Sequence, residues 1–298
     1  MRALLAQQFG ALRASLPAND DIEVMERHVP GPVGANDVRV LVYLPKNAPR
    51  PLPAMLWIHG GGYILGTADE DDATVKKMVG AVGCAAVSVD YRLAPETTHP
   101  GPVEDCYAAL KWLHANAGEL GVDVNRIAIG GASAGGGLAA GLGLLTRDRG
   151  EIPLAFQLLI YPMLDDRTAA ADDPHPFTGE FLWTREANHF GWSALLGQEP
   201  GSANVSPYAA AARAESLANL PATYISVGAL DLFLEEDLEY ARRLVRAGVP
   251  TELHLYPGAY HGFNLDPRAQ VSQAYERDYF NALRRALAPD RNTAQAAA

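Results

Sequence analysis

The sequence has only two cysteines among its 298 residues and contains no long hydrophobic run. Two thiols are too few for a disulfide framework in a chain of this size, so Cys84 and Cys106 are expected to be buried and reduced. Chains without disulfides are typical of reducing compartments, which predicts a cytoplasmic location. A membrane-spanning helix needs about 18 or more consecutive apolar residues, so we expect no membrane insertion.

Positive charge is also scarce. The 24 Lys and Arg residues are outnumbered by 35 Asp and Glu residues, which gives a formal net charge of −11 at pH 7. Proteins that bind nucleic acids or anionic lipid surfaces use clustered Lys and Arg side chains. The charge balance therefore argues against nucleic acid as a partner.

The chain does contain an alternation of short apolar, β-branched runs with longer segments of helical periodicity. With 48% hydrophobic residues it can bury a large core. Alternation of this kind is typical of strand–helix–strand units wound into a mostly parallel sheet, so we predict a single α/β domain over residues 1–298. The predicted strands are Val38–Leu44, Ala54–Ile58, Ala85–Val89, Arg126–Ile129, Ala155–Ile160, Ala222–Val227 and Glu252–Tyr256. The predicted helices are Asp71–Val82, Pro102–Asn116, Ala134–Thr146, Arg185–Leu196, Glu235–Ala247 and Gln270–Leu287.

Two segments depart from the alternation, residues 1–35 and residues 165–206. The second holds several large aromatic side chains, so it is a candidate lid over a pocket; the alternative is that these aromatics only pack the insertion itself. The aromatic residues of this segment are Phe177, Phe181, Trp183, Phe190 and Trp192.

Near the N-terminus, apolar residues recur at helical spacing. They predict an amphipathic helix rather than a signal peptide, which needs an unbroken apolar stretch. These residues are Leu5, Phe9, Leu12 and Leu16.

The strongest local motif is the G-x-S-x-G run Gly131-Ala132-Ser133-Ala134-Gly135. It follows a predicted strand and precedes a predicted helix, which is the context that a nucleophile elbow requires. Glycine on both sides leaves room for a serine held at a sharp, strained turn. Glycine-rich turns that carry a serine are also common without catalysis, so the motif makes Ser133 a candidate nucleophile and no more.

A second glycine-rich motif, His59-Gly60-Gly61-Gly62, ends another predicted strand. Consecutive glycines let the backbone approach a substrate and turn its N–H groups toward an oxyanion, as the corresponding loop of lipases and esterases does. Taken alone, the run could equally be a flexible linker or a phosphate cradle, but the lysine that follows a phosphate-binding loop is absent. Its combination with the serine motif favours the oxyanion loop.

A nucleophilic serine needs a base, and in this kind of fold the base is a histidine late in the chain. Four histidines follow Ser133. His175 and His189 lie in the candidate lid, and His254 lies within a predicted strand. His261 lies in a loop just past that strand, where catalytic side chains of α/β sheets collect, and is the predicted base.

The base in turn needs an orienting carboxylate. Asp231 follows the predicted strand Ala222–Val227 by a few residues, which again places it at the carboxyl end of a strand. Glu235, Glu236 and Asp237 come next, but they are typical of a first helical turn, where acidic side chains interact with the helix dipole. We therefore predict the triad Ser133, Asp231 and His261.

With these motifs in place, the chain resembles the hormone-sensitive-lipase family of esterases, also called bacterial lipolytic family IV. The resemblance extends from His59 to Phe263. Besides the two glycine motifs, it rests on Tyr91-Arg92-Leu93-Ala94-Pro95-Glu96, on Tyr161-Pro162, on the Asp231 loop and on His261-Gly262-Phe263.

The resemblance implies a serine carboxylesterase of the α/β-hydrolase fold that acts on small-molecule esters and uses no metal or organic cofactor. It also implies a small helical cap, built from residues 1–35 and 165–206, and a tendency to form homodimers. In that family, the second and third glycines of the H-G-G-G run and the residue after the serine supply oxyanion amides. These positions are Gly61, Gly62 and Ala134 here, while the leading His59 is implied to be structural.

The chain departs from the family pattern on both sides of the site. Ala132 stands before the serine, where the family commonly has Asp or Thr. After the acid, the family often has Pro-Leu-x-Asp-Glu, whereas this chain has Leu232-Phe233-Leu234-Glu235-Glu236. The second departure bears on the assignment of Asp231.

Other functions use the same residues. An amidase or acyltransferase would need the same triad, because the shape of the pocket selects the leaving group. A different class is a small-molecule receptor, since the plant gibberellin receptors resemble this family but lack a working catalytic histidine. His261 is present here, so catalysis on short- to medium-chain esters is the predicted function.

Overall fold

The computed structural model describes residues 21–288, in which eight strands form one sheet. Across the sheet their order is β1-β2-β4-β3-β5-β6-β7-β8. Strand β2 pairs antiparallel with β1 and β4, and the pairs from β4 to β8 are parallel. The strands are β1 (Ile22–Val29), β2 (Val38–Pro45), β3 (Leu52–Ile58), β4 (Ala85–Asp90), β5 (Val122–Ala132), β6 (Phe156–Ile160), β7 (Ala222–Gly228) and β8 (Thr251–Tyr256).

Helices cover both faces of this sheet. None of those within residues 21–288 is long and apolar enough to cross a membrane. The helices are α1 (Asp72–Val82), α2 (Gly101–Ala115), α3 (Ala117–Leu120), α4 (Ala134–Arg149), α5 (Arg185–Leu196), α6 (Leu234–Arg246) and α7 (Gln270–Ala286).

Strand β3 is buried along its whole length, as expected of a strand covered on both faces. Because successive side chains of a strand point to opposite faces, Leu56 and Ile58 join the core beneath α2, α4 and α6. Met55 and Trp57 join the opposite core, which contains side chains of α1 and α7. The run of apolar residues in this strand therefore serves two cores at once.

The seven strands and six longer helices predicted from the sequence are present, with ends that shift by a few residues. The prediction missed β1, which lies in the range 1–35 that was assigned to the cap. Ile22–Val29 instead pairs with β2 at the edge of the sheet. Its middle residues are mostly exposed and polar, so the strand has almost no apolar alternation to detect. The predicted helix that contains Leu5 and Phe9 lies outside the described residues.

The segment 165–206 contains one short 3₁₀ helix, Asp166–Ala170, and the predicted helix α5. Two buried carboxylates anchor it. Asp166 accepts hydrogen bonds from the Gly201 amide and from the Arg213 guanidinium, with Nε and Nη2 each 2.8 Å from a carboxylate oxygen. Glu236 on α6 accepts hydrogen bonds from backbone amides at the start of the segment. These contacts join the start of the insertion to its end and to the sheet domain.

Candidate active site

Ser133 occupies the sharp turn between β5 and α4. Its φ of 57° and ψ of −123° are sparsely populated for a residue with a side chain, as expected of a nucleophile elbow. The chain permits this turn because Gly135 has no side chain: a Cβ there would lie 2.1 Å from the carbonyl oxygen of Ile58. The glycine of the motif thus allows α4 to approach the end of β3.

Ser133, His261 and Asp231 form a continuous hydrogen-bonded chain. The distance from His261 Nδ1 to Asp231 Oδ2 is 2.8 Å, and that from His261 Nε2 to Ser133 Oγ is 2.9 Å. A carboxylate only accepts, so Nδ1 carries the proton and donates it, which leaves Nε2 to accept from the serine hydroxyl. The three side chains are buried among the described residues. The structure therefore brings together the three residues that the sequence singled out, at distances that allow proton transfer.

Several contacts fix the imidazole and its carboxylate partner. Asp231 uses its other oxygen, Oδ1, to accept a hydrogen bond of 3.0 Å from the backbone N–H of Phe233. The rings of Phe233 and Tyr161 stand edge-on to the imidazole of His261, with centroids 5.1 and 4.7 Å away. Tyr161 is itself held by a hydrogen bond from its hydroxyl to Asn264. The base can therefore turn little from its bond to Ser133.

The glycine run after β3 lies beside this serine. A Cβ at Gly60 would be 3.6 Å from Cβ of Ser133. Gly61 and Gly62 have φ values of 111° and 60°, in the region that favours glycine. On the other side of the serine, Ala134 is the first residue of α4, so its N–H has no acceptor within the helix. The glycine loop and the first residue of α4 thus lie next to the nucleophile.

His59 stabilises the conformation of this glycine loop. Its Nδ1 donates a 2.8 Å hydrogen bond to the carbonyl of Gly60, and its ring stacks on Tyr91 at 4.2 Å. The hydroxyl of Tyr91 donates to the carbonyl of His59. Burial lowers the pKa of the His59 imidazole, which favours its neutral form. These contacts are those of a structural residue, and they show that Tyr91, whose contact the sequence did not reveal, helps to shape the loop.

The acidic residues after Asp231 lie in the first turn of α6, as the sequence indicated. The helix dipole alone does not explain them, however, because Glu236 and Asp237 are buried. Burial raises the pKa of both carboxyl groups, and the charges of Glu236 and Asp231 raise that of Asp237 further. Glu236 accepts hydrogen bonds from the amides of Leu164 and Asp165 and from the hydroxyl of Thr168. It is a structural anchor of the insertion.

The aromatic residues of the insertion divide between the two roles considered for them. Trp192 is fully buried and packs against Tyr63, with ring centroids 5.2 Å apart. Trp183 instead lies against Gly62 of the glycine loop. Phe177, Phe181 and Phe190 are exposed among the described residues. The insertion therefore covers the glycine loop with one tryptophan and packs its own interior with the other.

Comparison with known proteins agrees with this architecture. A family model for an alpha/beta hydrolase fold matches residues 55–265, which include the serine, the aspartate, the histidine and the glycine loop. The chain belongs to this family. The α/β-hydrolase fold predicted from the sequence is confirmed.

Two similar proteins with curated names are esterases. Esterase LipI of Mycobacterium tuberculosis is 35% identical over 255 residues, which cover 83% of this chain and 77% of that protein. Carboxylesterase NlhH of the same species is 36% identical over 249 residues, which cover 82% of this chain and 76% of that protein. These relatives place the chain among the carboxylic-ester hydrolases that resemble hormone-sensitive lipase, as predicted.

Solved structures give the same result. A bacterial heroin esterase is 44% identical and superimposes with a TM-score of 0.91 over 97% of this chain and 91% of its own. Esterase LipW of Mycobacterium marinum is 38% identical, with a TM-score of 0.86 over 97% of this chain and 89% of its own. The fold is therefore shared with solved structures of esterases.

Proposed function

We propose that the protein is a serine carboxylesterase that cleaves short- to medium-chain esters through an acyl-enzyme at Ser133. In this proposal His261 is the general base and Asp231 the orienting carboxylate. The observation that carries it is the unbroken hydrogen-bonded chain from Ser133 Oγ through His261 to Asp231, with bonds of 2.9 and 2.8 Å. The names of the relatives support the ester as the substrate.

The first half of the reaction forms the acyl-enzyme. Ser133 Oγ attacks the ester carbonyl carbon while its proton moves to His261 Nε2, and Asp231 stabilises the resulting imidazolium. The carbonyl oxygen becomes an oxyanion, which accepts hydrogen bonds from backbone amides of the glycine loop and of α4. The intermediate then expels the alcohol, whose oxygen takes the proton from His261. The proposed oxyanion donors are the backbone N–H groups of Gly61, Gly62 and Ala134.

The second half reverses these roles with water. A water molecule gives its proton to His261 Nε2 and attacks the acyl carbon. The second tetrahedral intermediate breaks its bond to Ser133 Oγ, which recovers the proton from His261, and the carboxylic acid leaves. No step requires a metal or an organic cofactor in this proposal.

The oxyanion assignment predicts that Gly62→Ala lowers kcat by about 10²–10³, the loss measured for one oxyanion donor in a protease. Gly62 has a φ of 60°, which strains a residue with a side chain, and a Cβ there would lie 2.1 Å from Cη2 of Trp183, so the loop or the indole must shift. The matched control is Gly80→Ala, because a Cβ at Gly80 on α1 meets no atom within 4 Å. Steady-state kinetics on a nitrophenyl ester measure both variants. Equal activity of Gly62→Ala and Gly80→Ala would remove this loop from catalysis.

For the acyl group, we expect the highest kcat/KM on short to medium chains. The reason is the cap implied by the family resemblance, together with the absence of a long apolar lid segment in the sequence. A series of nitrophenyl esters from acetate to long-chain acyl groups measures this preference. Faster turnover of emulsified long-chain triglyceride than of butyrate esters would contradict it.

The cap, the location and the oligomeric state complete the proposal. We propose that residues 165–206 form a cap; of the range 1–35 that the sequence also assigned to it, residues 1–20 lie outside the described residues. A cytoplasmic location is supported by Cys84 and Cys106, which are both buried and unpaired.

A homodimer is supported by β8, which lies at the edge of the sheet formed by the described residues and has Leu253 and Leu255 partly exposed. An exposed apolar edge strand favours pairing with another chain.

A further inference from the structure

Trp183 borders both halves of the proposed catalytic machinery. Its indole lies so close to the oxyanion loop that a Cβ at Gly62 would be 2.1 Å from its Cη2 atom. The centroid of the same ring system is 6.3 Å from that of His261. The indole is therefore close to the proposed binding place of the carbonyl oxygen and to the proposed proton donor for the leaving oxygen.

The indole is held firmly in this position. Leu182, the residue before it, has a φ of 59°, which is unusual for a leucine and turns the chain sharply. Trp183 Nε1 donates a 3.2 Å hydrogen bond to Oδ1 of Asn188, a fully buried residue on α5. Thr184 caps the start of this helix, because its hydroxyl oxygen accepts a hydrogen bond from the N–H of Ala187. A ring fixed in this way can act as a wall rather than as a mobile side chain.

A second pair of rings belongs to residues close to Trp183 and His261 in the chain. Phe181 contacts Tyr260, with centroids 5.6 Å apart, and Tyr260 immediately precedes the catalytic histidine in the chain. Both rings are partly open, with exposed fractions of 49% for Phe181 and 40% for Tyr260. Leu182 packs over Gly262, on the other side of His261. Consecutive residues of the insertion therefore surround the histidine loop with apolar surface.

The chemistry of the proposed reaction identifies which part of the substrate meets this surface. The leaving oxygen must come within hydrogen-bonding distance of His261 Nε2 to receive its proton. The group attached to that oxygen then emerges among the side chains packed around His261. We infer that Trp183, Phe181 and Tyr260 form the leaving-group subsite and that it selects esters of aromatic alcohols. Aromatic rings pack favourably against one another in stacked or edge-on arrangements. This inference rests on the proposed function of Ser133 and His261.

The test compares two acetates that differ only in the alcohol. One is 1-naphthyl acetate, and the other is hexafluoroisopropyl acetate, whose alcohol is nearly as acidic as an aryl alcohol but has no ring. For Trp183→Ala we expect the ratio of kcat/KM for the naphthyl ester to that for the fluorinated ester to fall about tenfold, the size that the loss of one aromatic contact allows. Trp183→Phe should keep the ratio within about threefold of the wild-type value, because it keeps a ring.

The control is Phe190→Ala, which removes an exposed aromatic of the same insertion on α5. It should leave the ratio unchanged. The inference is overturned if Trp183→Ala lowers kcat/KM equally for both acetates, if Phe190→Ala changes the ratio as much, or if Trp183→Ala alters the preference for acyl length instead. Failure of the proposed function is distinct, because it would show as Ser133→Ala protein that still hydrolyses both acetates.

Discussion

His261→Ala should lower kcat by about six orders of magnitude, as loss of the base does in a well-studied serine protease. Without the imidazole, Ser133 Oγ loses the partner that takes up its proton and returns it to the leaving alcohol. The variant should remain folded, because His261 lies in a loop after β8 and belongs to no strand or helix. Steady-state kinetics measure the loss, and circular dichroism checks the fold.

The same variant separates an enzyme from a receptor. His254→Ala is the matched control: this histidine lies on β8, where it contacts Glu252 and Asp278 rather than the serine. We expect it to keep nearly full turnover. A receptor would show no hydrolysis in any form of the protein, and its ligand affinity would not depend on His261. Robust hydrolysis by purified His261→Ala protein would remove this residue from the mechanism.

The second large effect is expected for Asp231→Asn, which should lower kcat by about 10⁴, as the equivalent change does in a serine protease. The substitution keeps the size of the side chain but replaces an acceptor-only group by an amide that can also donate. The imidazole then loses the partner that keeps the proton on Nδ1 and Nε2 free to accept from Ser133. Its cation also loses the charge that stabilises it.

Glu235→Gln is the matched control for this acid. Glu235 is exposed in the first turn of α6, so the change should leave kcat nearly unaltered. Glu236 is unsuitable as a control, because its buried carboxyl group receives hydrogen bonds from the base of the insertion. If Asp231→Asn stayed active while Glu235→Gln lost activity, the acid would have to be reassigned to Glu235.

The residues of the site could be predicted from the sequence because short motifs set the backbone conformation around them. The elbow needs glycine beside Ser133 for steric reasons, and the oxyanion loop needs consecutive glycines for its positive φ values. The loops that carry Asp231 and His261 each follow a short strand. Parallel strands bring their carboxyl ends to one edge of the sheet. Short motifs at the ends of these strands therefore predicted the contact between Ser133 and His261, which are 128 positions apart in the chain.

Features that depend on contacts between distant segments could not be predicted in this way. The burial of Glu236 depends on where the chain after β6 runs, and nothing near Glu236 in the sequence records that. Tyr91 was recognised only as part of a motif, because its stacking on His59 joins the ends of two strands. Strand β1 escaped detection because an edge strand with polar, exposed residues lacks the periodicity on which such predictions depend.

The most direct test of the account is to identify the residue that reacts with an active-site phosphorylating agent. Diethyl nitrophenyl phosphate transfers a diethylphosphoryl group to an activated serine oxygen and releases nitrophenol, so the enzyme is trapped after the first step. We predict one diethylphosphoryl group per chain, carried by Ser133 in the peptide map, with activity lost in proportion to labelling. The His261→Ala protein should label far more slowly. Loss of activity with the label on a different residue, or full activity in protein labelled at Ser133, would contradict the account.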